Sequence, residues 1–372
     1  MDAYSSTLSP AVDIGAGCYL LVVAVLSIIG NLLVLVMAFK RSARMKPPEL
    51  LSVNLALTDL GAAVTMYPLA VASAWSHRWL GGDAVCVYYG LAGFFFGVAS
   101  IMNLTVLAVV RFIVSLNLQR PEEKIGWMKV KVLCAWTWLY ALVWALLPVL
   151  GWGRYGPEPF GLSCSLAWGQ MKHEGFSFVV ALFAFNLAAP ALVIAGCYFG
   201  IAFRLHCAYR KPRGGSRLPN VVRLHRRLLT VSAPLLRCRV EAHPRSPLSP
   251  PPLQIAVLVS AGFVGCWAPY GLVSLWSVLR DSGAVPPELS LLPCMFAKSS
   301  TVYNPVIYYV FSRSFKREVR EMRGSCLCTR SYRVSSSAHD DAVYMVKLRS
   351  PKTHAAAPSV RDTTESNMLT LA

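Results

Sequence analysis

The chain reads as an all-α membrane protein, a seven-transmembrane helix bundle with a short interfacial eighth helix. Three observations predict this. Of its 372 residues, 55% are hydrophobic, and the mean hydropathy is +0.49, too apolar for an ordinary soluble domain. Seven apolar runs each approach or exceed the roughly 20 residues a helix needs to cross hydrocarbon. The net charge of +18 gathers in alternate connections between those runs.

The first run, Ala16–Phe39, is long enough to span, and no small-residue cleavage site follows it, so it is not a cleaved signal. Lys40, Arg41, Arg44 and Lys46 come next. The second run is Leu50–Trp75 and the third Val85–Val114. Arg111, Arg120, Lys124, Lys129 and Lys131 lie around the link to the fourth, Val130–Val149. The fifth, Phe176–Phe203, leads into Arg204, Arg210, Lys211, Arg213, Arg217, Arg223, Arg226 and Arg227. The sixth is Ile255–Leu279 and the seventh Leu289–Phe311. The remaining loops hold few basic residues. The positive-inside rule therefore puts residues 1–15 outside the cell, the bundle at 16–311 and the C-terminus in the cytoplasm of a multi-pass plasma-membrane protein. Basic residues so distributed do not form one face of a soluble fold, which argues against nucleic-acid binding.

Residues 312–325 form the expected interfacial helix. Phe315, Val319 and Met322 share one face, with charges opposite, suited to an anionic inner leaflet. Cys326 and Cys328 are candidates for palmitoylation, with free thiols as an equal alternative. The tail, 326–372, is polar and reads as disordered. Ser335, Ser336, Ser337, Thr363, Thr364 and Ser366 are candidate phosphate acceptors there.

One stretch breaks the pattern. Val231–Gln254 carries prolines at 234, 244, 247, 250, 251 and 252, which exclude a helix. It separates Arg226-Arg227-Leu228-Leu229-Thr230 from Ile255-Ala256-Val257-Leu258. Joined directly, the two pieces would make one continuous helix. The hypothesis is that 231–254 is a translated intron; a genuine long loop is the alternative. Spliced transcripts that consistently contain it would count against the idea.

Lys298 lies near the middle of the seventh run. A charge there costs about 2.5–3.5 kcal/mol on insertion scales, so it marks a function by default. Snorkelling suits helix ends rather than mid-span. A desolvated lysine is a nucleophile toward an aldehyde, which makes Lys298 a candidate Schiff-base former. The 11 cysteines show no CxxC pair and no Cys/His ligand spacing, so no metal site is expected. Asn103-Leu104-Thr105 matches a glycosylation sequon, but it falls inside the third run and is rejected.

Asn31, Asp59, Cys266-Trp267-Ala268-Pro269 and Asn304-Pro305-Val306-Ile307-Tyr308 are polar or kinking elements inside apolar runs. Singly they are glue between membrane helices. Together they resemble the rhodopsin-like G-protein-coupled receptor superfamily over about residues 16–322. Lys298 lies six residues before Asn304, where opsins carry their retinal-binding lysine, so the chain looks like an opsin. His77-Arg78-Trp79, Tyr89 to Gly97 and Pro157-Glu158-Pro159-Phe160-Gly161 look most like the neuropsin group.

The resemblance implies retinal bound covalently at Lys298. An iminium in hydrocarbon needs an anion. The family's position three residues after the third-helix cysteine is Tyr89, neutral at pH 7. The alternative, in the second extracellular loop, is Glu158, which becomes the expected counterion in place of a solvated loop acid. A Cys86–Cys164 disulfide would hold that loop over the pocket. Tyrosine with a loop glutamate resembles bistable opsins. Trp267 is implied to pack on the retinal ring. Asp59, Asn304, Pro305 and Tyr308 are implied to rearrange on activation, with the sixth helix swinging out. Arg111 matches the arginine of the family's Asp/Glu-Arg-Tyr triplet, but here the triplet reads Val110-Arg111-Phe112. Losing the acid predicts raised basal activity or altered coupling.

The implied function is a light-activated receptor, not an enzyme, acting on a heterotrimeric G protein, with arrestin and a receptor kinase at the tail. A retinal photoisomerase with little signalling is the second reading, which the altered triplet favours. Lys298 argues against a chemoreceptor without chromophore. A non-functional product, through 231–254, is the remaining reading.

Overall fold

The computed structural model describes residues 3–116, 125–172, 175–210, 252–279, 286–312 and 315–320. Seven long helices run in chain order. They are α1 (Pro10–Lys40), α2 (Leu50–Trp75), α3 (Gly82–Leu116), α4 (Trp127–Leu146), α5, α6 (Pro252–Leu279) and α7 (Pro287–Phe311). Helix α5 is composite: Phe176–Phe183, a π turn at Ala184–Ala188, then Ala189–Arg210. Two three-residue strands, β1 (Tyr155–Pro157) and β2 (Cys164–Leu166), pair antiparallel between α4 and α5. The all-α expectation missed this hairpin.

The bundle is apolar both inside and on its sides. Ile29, Leu139, Leu192, Phe199 and Leu272 are exposed on its sides, where lipid covers apolar surface. Its interior holds Asn31, Asn54, Asp59, Asn103 and Asn304. Each makes at least one side-chain hydrogen bond. Asn103, the rejected sequon residue, donates to Leu51 O at 2.9 Å and accepts from Asn54 at 3.0 Å, while Trp138 donates to Asn54 at 2.7 Å. Helix α3 is the central post: it packs against α2, α4, α5 and α6, and Leu104, Ala108 and Val110 are almost wholly buried.

Six of the helices are apolar enough to span by composition alone; α7 falls short. The reason is its own sequence, in which Lys298-Ser299-Ser300-Thr301 and Asn304-Pro305 interrupt the apolar run.

Several boundaries differ from expectation. Helix α1 begins at Pro10, not Ala16, because Asp13 finds partners inside the fold. His77 Nδ1 lies 2.8 Å from Asp13 Oδ2, and Ser6 donates to Asp13 Oδ1 at 3.0 Å. Proline at the first helical position and an acid in the first turn suit a helix start. Helix α4 stops at Leu146, short of Val149 and two residues before Pro148. Helix α6 starts at Pro252, so 252–254 belong to it. A proline in the first turn lacks only an N–H that has no helical partner anyway. Residues 231–251 lie outside the described residues. So do 321–325 of the expected eighth helix, Cys326, Cys328 and the tail. Residues 315–320 are helical, with Phe315 buried and Glu318 Oε1 3.6 Å from Arg41 Nε.

The hairpin closes one end of the bundle. The Cys86–Cys164 disulfide ties it to the top of α3, with the two Cα atoms 5.3 Å apart. The N-terminal residues lie across it: Thr7 donates to Pro159 O, and Trp79 N donates to Tyr4 O at 2.8 Å. Gly161 has φ +72, and a Cβ there would stand 2.1 Å from Ser5 O, so only glycine allows this crossing.

Candidate ligand site

Beneath the hairpin is a cavity walled by α2, α3, α6, α7 and β2. Lys298 reaches it from α7, Glu158 from the hairpin, Trp267 from α6 and Asp59 from α2. Residues 59, 158, 267 and 298 are far apart in sequence, and the helix packing brings them to one space.

Lys298 is held firmly. Its Nζ donates to Cys294 Sγ at 3.1 Å, one helical turn earlier, and stands 5.7 Å from the centre of the Tyr89 ring. Its carbonyl accepts from Tyr67 Oη at 2.7 Å. No carboxylate lies within 4.0 Å of Nζ among the described ion pairs. Tyr89 is fully buried, and its hydroxyl finds no well-formed hydrogen bond.

Glu158 is 6% exposed despite its place in a loop. Its backbone N–H donates to Ser163 O at 2.8 Å, and its carbonyl accepts from Gly161 at 2.9 Å, so a tight turn fixes it. Oε1 accepts from Tyr270 Oη at 2.7 Å. Tyr270 in turn lies 3.0 Å from Ser165 Oγ and accepts from Trp168 Nε1 at 3.2 Å. Burial pushes the Glu158 carboxyl above the usual carboxylate range, and Ser165, Tyr270 and the charge of Lys298 pull the other way without cancelling it.

Trp267 donates to Ser300 Oγ at 3.1 Å and stacks on Phe263. At the inner end, Asn304 Nδ2 donates to Asp59 Oδ2 at 2.6 Å, while Asn31 donates to Thr301 O at 3.0 Å. Pro305 presses on α1: a Cβ at Gly30 would meet its ring at 2.7 Å. Arg111 lies outside this site, toward the other end of α3. Its Nε is buried without a hydrogen bond, and Tyr198, Tyr308 and Glu49 lie within electrostatic reach.

The walls fit retinal. Apart from Lys298, Glu158 and Asp59 the lining carries no charge. Three glycines one or two turns apart on α3 leave the space narrow but open. A Cβ would meet Tyr155 at 2.8 Å from Gly90, Met66 at 2.7 Å from Gly93 and Trp267 at 3.0 Å from Gly97. Sequence reasoning missed Tyr270, Cys294 and Ser165. The available signal was spacing: Cys294 stands one turn before Lys298 on the same face.

Fold and site together define a seven-helix membrane receptor with a lysine-centred internal cavity. Residues 30–308 match the family described as 7 transmembrane receptor (rhodopsin family). Mouse Opsin-5 is 33% identical over 319 residues, covering 84% of this chain and 78% of its own. The human visual pigment-like receptor peropsin is 30% identical, covering 82% of each. The crystal structure of squid rhodopsin superposes with a TM-score of 0.70 at 22% identity, over 88% of this chain and 90% of that one. The chain belongs to the rhodopsin family of seven-transmembrane receptors and, within it, to the opsins of the neuropsin group. It is thus a receptor rather than an enzyme.

Proposed function

We propose that this chain is a retinal photoreceptor in which Lys298 Nζ carries the chromophore covalently and light drives activation of a heterotrimeric G protein. The observation that carries the reading is Lys298, a half-buried lysine that lines a mainly apolar cavity beneath the Glu158 hairpin. Retinal supplies light absorption and a change of shape; the protein's residues do the rest. Glu158 supplies the negative charge that balances the lysine nitrogen, and Tyr270 holds that carboxylate in place. Tyr89 contributes a hydroxyl and a ring face but no charge. Trp267, braced on Ser300 and Phe263, receives the change of shape and passes it to α6. The Asp59–Asn304 pair beside Pro305 is the buried polar element that α7 rearranges.

The disulfide-tied hairpin and N-terminus face the exterior in this reading, and the Arg111 end faces the G protein. Arrestin, a receptor kinase and lipid anchoring at Cys326 and Cys328 belong to the same proposal. The experiment is nucleotide exchange on purified heterotrimeric G proteins by retinal-loaded protein in light and dark. Light should raise exchange. A pigment whose chromophore isomerises while exchange stays flat would support the photoisomerase reading. The observation favouring that reading is Arg111, which has no acid beside it and a buried Nε without a partner.

A further inference from the structure

Beside the Lys298 cavity, a second hollow lies between α3, α5 and α6, and Gly93, Gly97, Trp168, Trp267 and Tyr270 wall both. Its lining is mainly apolar, with Ile101, Leu182 and Phe183 among it, and Asn186 and Ser274 join the Trp168 and Tyr270 rings as polar side chains. Asn186 is 8% exposed, and neither Oδ1 nor Nδ2 has a hydrogen-bond partner among the described residues. Buried amides are normally paired, so two empty polar atoms on one side chain need a reason.

The local sequence explains how Asn186 comes to stand there. It is the middle residue of the π turn Ala184–Ala188. Pro190, four residues on, has no N–H for the Asn186 carbonyl, and its ring crowds that carbonyl. The helix widens at that point, as π turns at functional sites do.

We infer that this opsin selects a retinal oxygenated on its ring, with Asn186 as the residue that reads the oxygen. The inference rests on Lys298 being the anchor. A ligand fixed at Lys298 and running past Trp267 brings its far end into the Asn186 hollow. There Nδ2 donates to a hydroxyl or keto oxygen, and Oδ1 accepts from a hydroxyl. Ser274 on α6 is a second polar group on the same wall. A trapped water is the competing occupant, and it needs two to four polar partners. Tyr270 is already engaged with Glu158, Ser165 and Trp168, which leaves Asn186 and Ser274.

The test loads the full chain with retinal, 3-hydroxyretinal and 4-oxoretinal, each as the 11-cis and all-trans isomer, and measures apparent affinity from the visible band. One oxygenated compound should bind at least about fivefold tighter than retinal, since a site with an unfilled hydrogen bond discriminates against the ligand lacking it. Asn186→Leu should bind plain retinal as well as before and lose the preference. Equal affinities in the unsubstituted protein overturn the inference and favour water at Asn186. A preference that survives Asn186→Leu overturns it too. Failure of all compounds to form a pigment overturns the Lys298 reading with it. The wild-type comparison needs no variant, so misfolding of Asn186→Leu does not remove the test.

Discussion

Glu158 is a loop acid that behaves as a core residue. Its folded-state carboxyl binds protons more readily than the unfolded one, because burial outweighs its hydrogen bonds. Between the unfolded and folded pKa the native state therefore holds more protons, and stability falls as pH rises through that window. Thermal unfolding of ligand-free protein should show this decline above the ordinary carboxylate range, and Glu158→Gln should flatten it. Tyr270→Phe removes the donor to Oε1 while keeping the ring. It should cost about 1–3 kcal/mol, the range for a buried acceptor left unsatisfied, with a larger loss if retinal-loaded protein is compared. Val110→Asp supplies the absent acid beside Arg111 and should lower exchange in the dark; unchanged dark signalling would argue that Arg111 needs no partner. Lys298 and Glu158 were legible in the sequence because a charge in an apolar run, or beside a cysteine loop, is conspicuous. Tyr270 and Asn186 were not. A tyrosine or asparagine in a membrane helix reads as ordinary packing until its distant neighbours are known, and Glu158 lies 112 positions from Tyr270.

Among the elements, the hairpin is the one hydropathy could not reveal, since three-residue strands carry no period worth reading. Its pairing of Tyr155 with Leu166 and Pro157 with Cys164 sets Glu158 just past the end of β1. The disulfide closes a chain separation of 78 residues. Cys86→Ser should lose about 2–5 kcal/mol and weaken retinal binding together, read by unfolding and by pigment yield. Gly90 tests the fit of hairpin to α3. A Cβ there would stand 2.8 Å from the Tyr155 ring and 3.1 Å from Ser165 O. Overpacking costs about 1–3 kcal/mol, against about 1 kcal/mol gained from replacing glycine in a helix, so Gly90→Ala should be net destabilising. Helix existence was readable from apolar runs. Helix ends were not, because Asp13 and Pro252 look like breakers until their partners or their first-turn position are known.

At the scale of the molecule, apolar outer faces explain why Asn54, Asp59, Asn103 and Asn304 lie inside: with lipid outside, the interior is the place where polar groups find one another. Hydropathy and charge were enough for seven crossings, even though α7 is the least apolar of them, and its polar interruptions include the residues proposed to carry the function. The segment 231–254 has a test of its own. A variant joining Thr230 to Ile255 should form pigment as the full chain does and exchange nucleotide more strongly in light; equal exchange would count against a translated intron. The most direct measurement of the account is an absorption spectrum after adding retinal to the purified protein and to Lys298→Ala. The account predicts a band with the first that survives washing and is absent with the second. Equal bands in both would contradict it.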